Sequence, residues 1–359
     1  MDDGGGSPCW ASLPPELVRH VADCFLATND VDYYMGFRAV CRDWRHATDD
    51  PTKTWDVRFR PSRWSFFRTD SDNAIYLFIN TVTGRFHYKD IPFLNKYRVA
   101  AVAEGGFFVL ADKLIAADVY VLNPLTGHLA CFILAVSTAF VFGVAAAVFG
   151  SPPTLVLFDI ENNRLHRADL GGEHTYVRYH KWVHCNLVRH AIHNGVYNLV
   201  GRPFFDDPLK VFSSDQMDMV SCGRAFLVKS DGKVLMIVKQ EDGMEVFKVQ
   251  AGRDVWEPVR SIGDDCAIFI GTYKCVSIDA SKFPSIHGNC IYHQQETAYE
   301  PWNLMIYKYD MRKQKTEMVI GEAGGTVGIY DGGINIARLV SCCMATSPYV
   351  TKRIAHLKH

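Results

Sequence analysis

Apolar residues recur every four positions near the start of the chain. Leu13, Leu17, Val21 and Phe25 fall on one stripe of a 3.6-residue helix. Ser12 precedes the stripe and Glu16 sits close to where a capping partner belongs. Pro14 and Pro15 suit a first helical turn, whose N–H groups have no partner in any case. A second helix is expected from Asp30 or Asp32, carrying Tyr34, Phe37, Val40, Cys41 and Trp44, with Asp49-Asp50-Pro51 ending the unit. About forty residues of helix make a poor independent core, so some of these apolar positions are expected to be buried on a partner.

After Pro51 the period changes. Short runs rich in Val, Ile, Phe and Tyr alternate with turn residues, the pattern of many short strands. Ile75–Asn80 leads into Thr81–Gly84, Val119–Leu122 into Asn123-Pro124-Leu125-Thr126-Gly127, and Leu155–Phe158 into Asp159–Asn163. Further on, Ala225–Val228 leads into Lys229–Gly232, Val246–Val249 into Gln250–Asp254, and Leu304–Tyr309 into Asp310–Gln314. Asn-Pro and Asp-Gly at such points favour tight reversals between antiparallel strands. The first three turns are about 36 to 43 residues apart, the length of one four-stranded propeller blade. Roughly 300 residues at that period give about six or seven blades; a large sandwich or barrel is the alternative.

Composition narrows the function classes. The 359 residues are 48% hydrophobic, 21% charged and 13% aromatic, with a net charge of -1. That suits soluble domains with a sizeable core, and nothing in it points to nucleic acid, whose partners carry a basic face. The 11 cysteines are scattered without a C-x-x-C pair and read as buried thiols of a reducing compartment. The acidic, glycine-rich opening MDDGGGSPCW lacks the features of a secretory or transit signal, so the cytoplasm or nucleus is expected. Cys131 to Gly150 is nearly all apolar and long enough to span a membrane. Its glycines, its β-branched and aromatic residues, the absence of close Lys or Arg and the break at Ser151-Pro152-Pro153 favour two or three buried strands, and a membrane partner is not expected.

Candidate chemistry is sparse. His180, His184, His190 and His193 lie within fourteen residues. They read as a strand pair ending in Asn194-Gly195 rather than a metal site. The run from Gly321 to Gly333 lacks the Lys-Ser/Thr of a phosphate loop, and no zincin, nucleophile-elbow or Walker pattern occurs. No cofactor, metal or catalytic residue is expected.

Two sets of residues carry a family resemblance. Leu13-Pro14-x-Glu16-Leu17 with Val21 and Phe25, followed by Phe37-Arg38-Ala39-Val40-Cys41-Arg42-x-Trp44-Arg45, resembles an F-box. The second set is Asn123 to Gly127, Phe226 to Gly232, Val246 to Val249, Trp256 to Val259, Ser261 to Asp264 and Gly288 to Tyr292. Together these resemble the plant F-box family whose C-terminal part is a KIB-type β-propeller. The apolar stretch 129–150 and the basic end, Lys352 to His359, depart from that pattern.

The resemblance implies an α+β multidomain chain: an unstructured stretch 1–9, an all-α F-box at 10–50, an all-β propeller of about six or seven blades at 51–345, and a tail at 346–359. It implies docking on the Skp adaptor, and through it cullin, in an SCF ubiquitin ligase. Leu13, Pro14, Leu17, Val40, Cys41 and Trp44 would be the adaptor-binding residues by motif position, although some of them could instead hold the module together. The propeller would hold a protein substrate, and the chain would be a non-catalytic receptor acting by proximity. The alternative is an interaction propeller that no longer engages the ligase.

Overall fold

The computed structural model describes residues 10–178 and 225–320, apart from 69–74, 104, 114–117, 135–143, 151, 160–163, 173, 241–242, 250–256, 272–274 and 296–304. The histidine group 180–193, the glycine-rich run 321–333 and the tail 346–359 lie outside the described residues.

Three short helices open the chain: α1 (Pro15–Ala27), α2 (Val31–Ala39) and α3 (Arg42–Ala47). The single second helix expected from sequence is therefore two. The break is at Cys41, whose backbone is extended (φ -151, ψ 173) and whose Sγ accepts the Trp44 N–H at 3.5 Å as an N-cap. The expected Ser12 cap is also corrected. Pro14 holds the N-cap position with no side-chain bond, and Ser12 belongs to a 3-10 turn, Trp10–Ser12.

The described strands form five sheets. The first holds β1 (Trp64–Arg68), β2 (Ile75–Asn80) and β3 (Phe86–Asp90). A one-turn helix, α4 (Phe93–Lys96), leads into the second: β4 (Tyr97–Val102), β5 (Phe108–Asp112), β6 (Val119–Leu122) and β7 (Leu129–Phe132). The third holds β8 (Val144–Phe149), β9 (Thr154–Asp159), β10 (Arg164–Asp169) and β11 (His174–Arg178). The fourth holds β12 (Ala225–Ser230), β13 (Lys233–Lys239), β14 (Met244–Val249) and β15 (Glu257–Pro258). The fifth is five-stranded: β16 (Cys266–Ile270), β17 (Val276–Asp279), β18 (Cys290–Gln295), β19 (Met305–Asp310) and β20 (Lys315–Ile320), in the order β17-β16-β18-β19-β20.

These sheets are the blades of a propeller, because they pack face to face in series, the first, second and fifth burying both faces on neighbours. On β2, Tyr76 and Phe78 turn to Phe108, Leu110 and Leu122 of the second sheet, while Leu77 and Ile79 turn to Phe269, Tyr292 and Ile306 of the fifth. Alternate side chains of one strand thus serve two seams. The second sheet continues onto the third through Val121 and Phe132 against Ala146 and Leu157, and the fourth packs on the fifth through Ile237 and Val246 against Ile268 and Ile291. The packing order is fourth, fifth, first, second, third, so the late part of the chain closes onto the first blade.

Five blades among the described residues replace the six or seven expected. The expected number assumed a constant period, but the fifth sheet runs from residue 266 to 320 and the second only from 97 to 132. The apolar stretch 131–150 has strands at both ends, β7 and β8. No helix among the described residues is long and apolar enough to cross a membrane.

Candidate functional site

The three helices form a small unit with two kinds of apolar residue. Val18 and Ala22 of α1, Tyr34 of α2 and Phe59 are buried, with Phe25, Leu26 and Phe37 packed against them. Leu17, Val21 and Val40 point outward, at 51%, 40% and 62% exposure. Val18 and Ala22, one residue along from the four-residue stripe, face the unit's own core, which leaves Leu17 and Val21 of the stripe on the surface. Pro14 is exposed, and Leu13 and Cys41 are half-buried.

Trp44 has a different place. It is half-buried, stacks on Phe37 with ring centroids 4.3 Å apart, and its Nε1 donates to the Trp10 carbonyl at 3.3 Å. Of the six motif positions, Trp44 and Cys41 organise the unit internally, whereas Pro14, Leu17 and Val40 offer surface. Trp10, 76% exposed, lies beside them through the Trp44 bond, and nothing in the sequence reading had marked it.

Arg38 pins the end of the unit, donating to the carbonyls of Thr48 (2.7 Å) and Asp49. Tyr34 Oη donates to Asp49 O at 3.0 Å, and burial pushes its pKa up. Downstream, Arg58 bridges Asp49 and Asp56 at 2.8 and 2.7 Å, and its bond to Asp56 holds that carboxyl below the usual range.

Residues 51–63 then lie across one end of the propeller. His128 Nδ1 meets Thr52 O at 2.6 Å, Trp55 packs on Phe107 and His128, and Asn123 Nδ2 donates to Phe59 O at 2.8 Å. Gly106, at φ +78, closes against the Pro61 carbonyl. All these blade positions are turns at one end: β4–β5 and β6–β7 in the second blade, with β2–β3 of the first joined through Asn80, whose Nδ2 donates to Thr28 O at 3.3 Å. The opposite end begins at Ile75, Phe93 and Ile133, three exposed apolar side chains at 37%, 38% and 66%.

That opposite end carries a small hydrogen-bonded group in the second blade. Tyr97 and Tyr120 have ring centroids 5.0 Å apart. Tyr120 is pushed up to about 12, first by its bond to Tyr97 and then by Cys131. Burial and Asp118 push the Cys131 thiol up. A thiol held protonated is a poor nucleophile. Among the described residues no cluster of His, Cys, Asp and Glu could hold a metal ion.

The motifs at 261–264 and 288–292 form one knot. Asn289 Oδ1 accepts from Ser261 Oγ (3.1 Å) and Ile262 N (3.0 Å), while Gly288 lies so close to the Asp264 carbonyl that a Cβ would collide with it. These contacts tie the segment that follows the fourth blade to the fifth.

A family model described as the KIB1-4 beta-propeller matches residues 66–331. Comparison with curated proteins found no match. Among solved structures the chain is similar to a streptogramin B lyase structure at 8% identity, with 74% of this chain and 85% of that one covered and a TM-score of 0.24. At that distance the likeness carries no argument.

Proposed function

The chain belongs to the KIB1-4 β-propeller family, and from that premise we propose that it is the substrate-recognition subunit of an SCF ubiquitin ligase. In this reading the three helices are an F-box that docks on the Skp adaptor, and through it cullin. The observation that carries the reading is the exposure of Leu17, Val21 and Val40 on a unit whose core is already filled by Val18, Ala22, Tyr34 and Phe59. Apolar side chains left outside a completed core are an interface feature rather than a folding one. Helical modules dock through such anchors, with a few central residues supplying most of the affinity.

In this reading the motif residues divide the labour. Leu13, Pro14, Leu17 and Val40 meet the adaptor; Cys41 and Trp44 set the angle between α2 and α3 that presents them. The helical unit and residues 51–63 occupy one end of the propeller, so the protein substrate is taken at the other, around Phe93 and Ile133. The chain then acts by holding its target near a conjugating enzyme, and its own residues perform no covalent step.

The test is capture of the full-length chain by purified Skp adaptor, alongside Leu17→Glu and Val40→Glu. Binding by the wild type with loss in both folded variants supports the reading. A well-folded wild type that the adaptor does not retain overturns it and leaves an interaction propeller with a helical cap.

A further inference from the structure

The helical unit is joined to the first blade more tightly than a tethered module requires. Val31, the first residue of α2, is fully buried in the seam between the first two blades, among Trp64, Phe78, Phe108 and Leu122. Ahead of it, Asn29 has φ 55 and makes three bonds with the blade side. Its Nδ2 donates to Arg60 O (2.8 Å), its Oδ1 accepts from Arg63 N (3.0 Å), and its carbonyl accepts from Trp64 Nε1 (2.8 Å).

Beside this plug stands Arg85, in the turn between β2 and β3. Its guanidinium pairs with Asp30 through Nε (3.1 Å) and Nη2, and with Asp32 at 3.1 and 3.2 Å. The side chains are only 18%, 6% and 20% exposed, so solvent screens the pairs weakly. The same guanidinium lies over the Tyr33 ring at 3.8 Å and the Trp64 ring at 5.1 Å. Two carboxylates and one ring from the helical side thus converge on one cation from the propeller side. Tyr33 in turn packs on Phe25 (6.0 Å), Phe25 on Phe37 (5.7 Å) and Phe37 on Trp44 (4.3 Å). A continuous row of rings connects the outward face of the helices to the latch.

We propose that Arg85, clamped by Asp30 and Asp32, is a positioning latch that locks the helical unit onto the first blade as one rigid body. The spacing between the exposed helical face and the free end of the propeller is then fixed by the fold rather than left to a linker. Arg is suited to this use because its planar fork pairs with a carboxylate through two nitrogens while its face stacks on a ring; Lys reproduces the charge but neither geometry. The inference holds whether or not the helices bind an adaptor.

The test is hydrogen–deuterium exchange on the full-length chain, which needs no partner. In Arg85→Ala, and separately in Asp30→Asn/Asp32→Asn, amides of residues 28–37 are expected to exchange at least tenfold faster than in the wild type. Amides of β9 and β13 should be unchanged, and Arg85→Lys should fall on the side of Arg85→Ala. Combining Arg85→Ala with the aspartate changes should add less than the sum of the two, because they share the Arg85–Asp30 and Arg85–Asp32 pairs, while the Arg85 contact with Tyr33 and the His87 contact with Asp32 (3.2 Å) belong to one variant each. Wild-type protection of residues 28–37 in either variant overturns the latch. So does equal loss across β9 and β13 in both, which would make Arg85 a general support of the propeller. If Arg85→Ala alone fails to fold, the aspartate variant, which leaves the blade sequence intact, decides.

Discussion

Asn123 donates its side-chain amide to the carbonyl oxygen of Phe59 across 2.8 Å, tying a blade turn to the segment that leaves the helical unit. Its other side-chain atom, Oδ1, accepts from the amides of Leu125 and Thr126 and so builds the turn itself. Asn80 repeats the arrangement one blade earlier: Oδ1 accepts from Val82 and Thr83, and Nδ2 reaches Thr28 O. In the fifth blade Asp310 keeps the first half, accepting from Arg312 and Lys313, and has no amide to offer. Asn123→Asp therefore isolates the tie. The turn survives, while a buried carboxylate replaces the donor facing Phe59. The expected loss is at least about 1–3 kcal/mol, the cost of leaving a buried polar group unsatisfied, and more to the extent that the new carboxyl is charged. Urea denaturation measures it, and an unshifted midpoint would show that the tie carries no weight.

The helical residues should separate into two groups by stability. Trp44→Ala removes the stack on Phe37 and the bond to Trp10, and is expected to cost about 2–3 kcal/mol, below the full-core range because the ring is half-buried. Leu17→Ala and Val40→Ala remove exposed side chains and should stay within about 0.5 kcal/mol. Thermal unfolding followed by circular dichroism distinguishes them. A large loss in Leu17→Ala would place that residue in the folding core and count against its use as an adaptor contact.

The same contrast shows what the sequence discloses. β2 and β6 coincide with the runs Ile75–Asn80 and Val119–Leu122, because a β-rich run stopped by Asn-x-x-x-Gly is a local signal. Gly84 and Gly127 both take positive φ at the last turn position, as that chemistry demands. The helix α1 is equally legible, but the spacing of its apolar residues does not say which of them fill the unit's own core. Leu17 and Val18 are adjacent and both apolar, and only the tertiary partners Tyr34 and Phe59 decide which turns inward. Asn29 and Arg85 carry no sequence signal for a related reason. A polar side chain becomes a clamp through contacts tens of residues away, such as Arg85 with Asp30, and no local spacing encodes them. The blade count failed because the fifth sheet inserts β17 and the 3-10 turn Ala280–Lys282 before β18, stretching the period.

Alkaline pH should destabilise the fifth blade. The Tyr292 hydroxyl is fully buried, and burial pushes its pKa up to about 12; burial does the same to the Cys275 thiol, also to about 12. Both are acids whose native value lies above the unfolded one. Below roughly pH 7.5 each is protonated in both states and the contribution is whole. As pH rises past about 8.5 for Cys275 and about 10 for Tyr292, the unfolded chain releases protons that the native chain retains, so stability falls until about pH 12. The slope approaches roughly 1.4 kcal/mol per pH unit for each group. Urea midpoints at pH 8 and pH 10.5 should differ accordingly, and Tyr292→Phe should flatten part of the slope. Equal midpoints at the two pH values would contradict the burial assigned to both groups.

Gly106 and Gly127 offer a matched pair for the contact between residues 51–63 and the second blade. Both have nearly the same backbone, φ +78 and +77, so replacing either with alanine carries a similar conformational cost of about 1 kcal/mol. Their surroundings differ. A Cβ at Gly127 meets nothing within 4 Å, whereas one at Gly106 would overlap the Pro61 carbonyl, which is backbone and cannot swing aside like a side chain. Gly127→Ala is therefore expected to lose only the conformational cost. Gly106→Ala should lose several kcal/mol, or push Pro61 away and expose Trp55, which packs on Phe107 beside it. Chemical denaturation gives the first quantity, and Trp55 in a Gly106→Ala background gives the second, as a red shift in tryptophan emission. Equal losses in the two variants would mean that residues 51–63 do not press on this turn, and that the segment is held to the second blade by its contacts with Asn123 and His128 instead.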